Sequence, residues 1–399
     1  MAWYSRFQSV LGTILSASSA AAAVNISLSE VPDYDWHAGC FGTAAGNLIA
    51  YWDRHGLPNI YTGPTAGGVA PLNSYGASAG IRSLWASQAG LDGRPANQPG
   101  HVDDYWAFFG ASPSYESTAP DPYVAANRPE HSPDCLGDFM GQSQRKYSDL
   151  NGECAGNIDA FAFIFWDEDG NRLENFQPPA TNGVQVRDVP SGLRAFSQYR
   201  GYEANVSAQL ADFNPTIPTG RGFTFEDLKA EINAGYPVVL ILQNYNQFSR
   251  SLPGMPRANP MIHAMVAYGY AETDDGFQAV RYRTSWASGD TVYSQWNSDI
   301  WQAGMPVRGL ITYHPQPKIR SVSRTGGQVR IQWDGPSSVL VDNSDGSSKI
   351  VHQYVIERAD SLSNGAFVPV TEPATARDAS FPDSAGAQAF FRVKLVPGE

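Results

Sequence analysis

The segment from Gly235 to Trp286 constrains the fold more than any other part of this chain. Pro237-Val238-Val239-Leu240-Ile241-Leu242 is a continuous apolar run, short and β-branched, and reads as a buried strand. His263 to Tyr270 (HAMVAYGY) is a second strand. Asp274-Asp275-Gly276 turns the chain, and Phe277 to Trp286 (FQAVRYRTSW) returns antiparallel to it. A helix precedes this set. Thr224 is an N-cap with Asp227 three residues on, close to a capping box, and Leu228 and Ile232 supply the apolar face before Ala234 and Gly235 end it. Helix, strand, strand, turn, strand predicts an α+β protein built on mostly antiparallel sheet.

A second helix is predicted near the beginning. From Thr43 to Arg54, Ala44, Leu48 and Tyr51 form one row at helical spacing, and Ala45, Ile49 and Trp52 form another beside it. Gly56 and Pro58 stop it, so Cys40 falls at or just before the helix N-terminus. Residues 60–220 are dense in Gly and Pro and read as a long insertion. It carries short pieces: a helix over Ile81–Gly90, an element at His101–Phe109, and an apolar strand from Ala160 to Trp166. Asp167-Glu168-Asp169-Gly170 follows as a solvated hairpin turn rather than a calcium loop, since the glutamate such a loop needs twelve positions on is absent. After Pro315 and Pro317 the pattern changes to short alternating stretches, QVRIQW, YVIER, Phe367–Val370 and Ala389–Leu395. That spacing predicts a β-sandwich over 316–399, separate from a main domain at 24–315.

The 399 residues carry 39 acidic against 27 basic side chains, a net charge of −12, which opposes a nucleic-acid partner because no basic surplus faces phosphates. No apolar run reaches the roughly 18 residues of a membrane span. Residues 1–23 carry one basic residue (Arg6), an apolar stretch and a small-residue end, Ala21-Ala22-Ala23. This is the layout of a secretory signal peptide, and the competing reading is an Ala/Ser-rich tail. The expectation is a secreted or periplasmic protein. Cys135 and Cys154, 19 positions apart amid polar residues, are the expected disulfide, with a chain-entropy effect of about 3 kcal/mol. Cys40 is left over, either a small buried apolar residue or a reactive thiol.

Its surroundings favour reactivity. Gly39 and Gly42 let the backbone turn sharply beside it, and a thiol at a helix N-terminus gains from the macrodipole and free N–H groups. Those donors can also hold an oxyanion. His263, opening a buried strand, is the candidate base, and Thr284 on the returning strand is placed to orient its ring, with Asp290 as a substitute. Tyr34, Asp35 and Trp286 are candidate cleft and oxyanion residues. The bland alternatives are a core cysteine, a satisfied core histidine and core tryptophans at Trp286 and Trp333. No metal is expected: His37 lies near Cys40, but no zinc-like spacing accompanies it, and His101-Val102-Asp103-Asp104 reads as a capped helix start.

Three motifs together resemble the papain-like cysteine peptidases, closest to the branch of bacterial double-glycine-leader peptidases. They are Gly39-Cys40-Phe41-Gly42-Thr43-Ala44-Ala45-Gly46 running into Tyr51-Trp52-Asp53, Gly235-Tyr236-Pro237-Val238-Val239-Leu240, and His263 to Tyr270 followed by Arg283-Thr284-Ser285-Trp286. The resemblance spans 31–315 and implies a papain-like fold, a Cys40 nucleophile, a His263 base, no cofactor and a peptide or protein substrate. Two departures stand out. The family's third residue is Asn or Asp where this chain has Thr284, and the glutamine that papain carries six positions before its cysteine is Tyr34 here. The C-terminal portion resembles a fibronectin type III module. The expected activity is a thiol peptidase or amidase. The alternatives are a non-cleaving peptidase-fold protein that binds peptide or glycan, and a transglutaminase-like acyltransferase.

Overall fold

The computed structural model describes residues 24–34, 40–61, 69–73, 133, 135–142, 162–180, 185–243, 262–285, 292–297, 305–363, 366–383 and 389–398. In chain order the elements are β1 (Val24–Leu28), α1 (Cys40–Arg54), α2 (Leu136–Phe139), β2 (Leu173–Glu174), α3 (Val189–Tyr199) and β3 (Ala204–Leu210). Next come α4 (Phe225–Asn233), β4 (Val238–Gln243), β5 (Ile262–Glu272), β6 (Gln278–Arg283), β7 (Val292–Gln295) and β8 (Val307–Pro315). The C-terminal part holds β9 (Lys318–Thr325), β10 (Gln328–Asp334), β11 (Val339–Asp342), β12 (Ser348–Ile350), β13 (His352–Ala359), β14 (Val368–Pro369), β15 (Asp378–Pro382) and β16 (Phe390–Pro397).

This is an α+β structure whose strand pairings are antiparallel. The large sheet runs β12-β11-β1-β5-β4-β8-β3-β2, with β6 also paired to β5 and β7 to β6. β4, β5 and β8 are almost wholly buried, as their apolar runs require. α1 packs on β5 and β4 and is buried on nearly every face; Ala44, Ala45 and Ala50 keep it slim enough to lie there. Its buried tail is fixed by Asp53, whose carboxylate accepts from the N–H groups of Asn59, Tyr61 and Ala70 at 3.0, 3.3 and 2.9 Å. The box opening α4 forms as its sequence indicates, with Asp227 N–H donating to Thr224 Oγ1 at 3.1 Å.

Two expectations change. Ala162 to Trp166 is extended and alternately buried but joins no sheet; Phe163 and Phe165 are tied instead to the N-terminus of α3, through Val189 N–H and the Asp188 carboxylate. The turn at 167–170 forms, closed by Gly170 N–H on the Asp167 carbonyl, and leads into β2 rather than back along a hairpin. The helix expected at Ile81–Gly90 and the short element expected at His101–Phe109 lie outside the described residues.

The C-terminal portion contains two three-stranded sheets, β15-β10-β9 and β14-β13-β16, closed around Val329, Ile331, Trp333, Tyr354, Ile356 and Phe381. Between them the chain does something the sequence does not announce. The β11–β12 hairpin leaves this portion and extends the large sheet, pairing with β1 at Ile26↔Asp342 through Leu28↔Leu340. The physical reason is that β1 would otherwise be an open apolar edge beside β5. The end of α1 is clamped as well. Gly335 N–H donates to Gly56 O at 3.0 Å, Ser337 N–H to His55 O at 2.9 Å, and Ser338 Oγ to Gly235 O at 2.7 Å. The large sheet therefore takes strands from both sides of residue 316.

Candidate functional site

α1 begins at Cys40, three residues earlier than its apolar spacing indicates, so the thiol belongs to the first helical residue. The sulfur sits beside β5. It lies 4.0 Å from the Ile262 carbonyl oxygen, the outer limit of an S–H···O contact, and the backbone N–H of Ala264 faces it. Those are the two peptide groups flanking His263. The N–H groups of Cys40 and Phe41 at the helix start also face the sulfur. The stretch of β5 from 262 to 264 pairs with β4 alone; β1 and β6 join it only further along, which leaves room for the helix terminus.

His263 is held from the other side. Its Nε2 lies 2.6 Å from the backbone carbonyl oxygen of Thr284, just past the end of β6. A carbonyl only accepts, so Nε2 carries the proton and Nδ1 carries the lone pair. The sequence reading gives this task to the Thr284 hydroxyl; the structure gives it to the main chain, which any residue at 284 would present. Arg283 secures the approach. Its guanidinium pairs with Asp33 at 3.3 Å, donates to the Val31 carbonyl at 3.0 Å and lies 4.7 Å above the Tyr268 ring, joining the strand that ends at Thr284 to the segment that leads into Cys40. Sequence reasoning missed Arg283 and Asp33, because an ion pair spanning 250 positions leaves no local pattern.

Both groups are buried, each about 1% exposed. Burial pushes the Cys40 thiol up to about 12, against the partial relief of the Ala264, Phe41 and Cys40 N–H groups. Burial likewise pushes the His263 imidazole down to about 3, only partly offset by the Thr284 carbonyl. At rest the thiol and the imidazole are each neutral, not charged groups of a preformed ion pair.

The remaining candidates fall in different places. Tyr34 is buried with its N–H on Asn47 Oδ1 at 2.9 Å and its hydroxyl on the Pro71 carbonyl at 2.8 Å. Tyr61 and Asp53 influence that hydroxyl, and Asp53 is thirteen residues along α1 from Cys40, a rise of about 20 Å. Its hydroxyl is thus directed to the far half of the helix rather than to the thiol. Asp35, His37, Trp286 and Asp290 lie outside the described residues, as does Cys154. Cys135 is buried and precedes α2 as its N-cap. Trp333 is a core residue between the two C-terminal sheets. Among the described residues no group of three or more His, Cys, Asp or Glu side chains is arranged to hold a metal ion, and no helix is long and apolar enough to cross a membrane.

A scan against known protein families finds no match, and no curated protein matches this chain.

Proposed function

We propose that this chain is a cysteine peptidase or amidase of the papain-like kind, exported behind residues 1–23. One observation carries the reading: the thiol at the first residue of a buried helix lies beside the two peptide groups that flank a histidine, and that histidine's Nε2 is fixed by an acceptor. The fixed Nε2–H leaves Nδ1 as the base. When a scissile amide reaches the site, the sulfur attacks its carbonyl carbon while the thiol proton passes to Nδ1. The oxyanion forms against the N–H groups opening α1. The imidazolium then gives its proton to the departing amine, and water, deprotonated by the same nitrogen, hydrolyses the thioester. The Thr284 carbonyl supplies orientation and a partial negative charge where the family has Asn or Asp. In this reading the two C-terminal sheets form a fibronectin-like module, and the β11–β12 hairpin between them extends the catalytic sheet, so the module is more than a spacer.

Because the resting pair is neutral and covered, its reactivity depends on substrate. Iodoacetamide is expected to label Cys40 slowly in the folded protein at pH 7.5. A panel of peptidyl vinyl sulfones is expected to label it faster, and His263→Ala is expected to abolish the difference. Burial of both groups also supports a second reading, a protein that binds peptide without cleaving it. Equal inertness of Cys40 to both reagents, or indifference to His263→Ala, decides for that second reading.

A further inference from the structure

Ser285 stands apart from the other residues around the pair. Its φ is +59°, in the left-handed region that side chains other than Gly, Asn and Asp rarely occupy. Three other non-glycine residues share a positive φ among the described residues, Glu30, Asn59 and Asn175, and all three are at least partly exposed. Ser285 is fully buried, and its hydroxyl makes no hydrogen bond. A left-handed serine costs about 1–2 kcal/mol and an unsatisfied buried hydroxyl about 1–3 kcal/mol more. Glycine would carry neither cost. Two penalties thus coincide at the residue that directly follows the carbonyl gripping His263.

The backbone explains what the strain does. β6 pairs with β5 up to Val266↔Arg283 and ends there. A residue in extended conformation at 285 would continue the strand. The ladder has already ended at Thr284, whose carbonyl is given to the His263 imidazole, and the left-handed residue follows it directly. We propose that Ser285 is a positioning residue whose left-handed backbone aims the Thr284 carbonyl at His263 Nε2 and thereby selects the tautomer that presents Nδ1 to Cys40. The same strained site accounts for the absence of an Asn or Asp at 284: where the main chain is aimed, the side chain is not needed. This proposal rests on the peptidase reading for its catalytic meaning, but the tautomer it predicts is a property of the resting protein.

The test compares Ser285→Ala with Ser285→Gly in the full chain. Alanine loses the hydroxyl and is reluctant to adopt a positive φ; glycine loses the hydroxyl and adopts it freely. With ¹⁵N-histidine labelling, and His263→Gln to assign the signal, wild type is expected to show His263 protonated at Nε2. Ser285→Ala is expected to shift that signal toward a mixture of tautomers, and Ser285→Gly to restore it. His263-dependent labelling by the vinyl sulfone is expected to fall on the order of ten- to a hundredfold in Ser285→Ala and to recover in Ser285→Gly. If both variants keep the wild-type tautomer, or if both lose it alike, the backbone at 285 is not the positioning device. If the tautomers follow the expected order while labelling never depends on His263, the peptidase reading fails and the positioning of the ring stands.

Discussion

Acid is expected to loosen this protein through His352, a group outside the candidate site. His352 opens β13 and sits where the C-terminal portion meets the end of α1. Its Nδ1 accepts from the Ser338 N–H at 3.1 Å, and its Nε2, which the Ala234 carbonyl faces, makes no hydrogen bond of good geometry. Trp52 and Tyr236 pack against the ring at 6.2 and 5.2 Å. Two more histidines face it: His55 at the end of α1, and His314 from β8, which is held by Glu231 of α4 at 2.5 Å. Burial, with the charges of His55 and His314 adding to it, pushes His352 down to about 3 from its ordinary 6.5. The unfolded chain therefore takes up this proton first. The stability that the neutral ring confers is whole above pH 6.5 and drains as pH falls toward 3, at about 1.4 kcal/mol per pH unit, or roughly 2 kcal/mol by pH 5. His352→Asn keeps an acceptor for Ser338 N–H and cannot titrate. Packing loss should make it the less stable protein at pH 7.5, by about 1–3 kcal/mol. Urea unfolding followed by tryptophan fluorescence at pH 7.5, 6.0 and 5.0 should show the gap to wild type closing by about 2 kcal/mol at the lowest pH. Taking the difference removes opposing groups such as Asp188, which burial raises to about 6. Parallel pH curves for the two proteins would refute the argument.

Two further outcomes follow from how the C-terminal portion is attached. Gly56→Ala places a Cβ 1.9 Å from the Gly335 carbonyl oxygen at a φ of +102°, so it should lower stability by at least about 3 kcal/mol in a thermal melt, whereas an unchanged midpoint would mean the clamp at Gly335 is dispensable. A chain ending at residue 315 loses β11, one of the two partners of β1, and the clamp on the α1 terminus; it should aggregate or melt non-cooperatively, and a soluble, cooperatively folded product would show that the large sheet closes without the hairpin.

Local chemistry made part of this molecule legible. The α1 rows, the Thr224 box and the strands carrying Val238–Leu242 and His263–Tyr270 each declare themselves within a dozen residues, because period and capping are short-range signals. The hairpin at 339–350 is not among the strands that the sequence predicts, and nothing in SVLVDNSDGSSKI says that its partner is Val24–Leu28, more than three hundred positions away. The same silence hides the histidines at 55, 314 and 352, which no spacing connects. At the site, Cys40 and His263 are side-chain chemistry and can be read. The grip on the imidazole is a main-chain carbonyl, and every residue has one, so no side-chain type at 284 announces it. Ser285 is legible only as a dihedral angle.

The large sheet joins segments more than three hundred positions apart. β1 precedes the other described strands in the chain and lies between β5 and β11, and β11 is complete only at residue 342. Until then the early strand has at most one of its two neighbours, and the helix bearing Cys40 lacks the backbone clamp at its far end. Pairings of such long range form late and slowly. Native packing of the thiol against β5 would thus be among the final events, so a growing or partly synthesised chain is held short of the arrangement on which any chemistry at that cysteine depends.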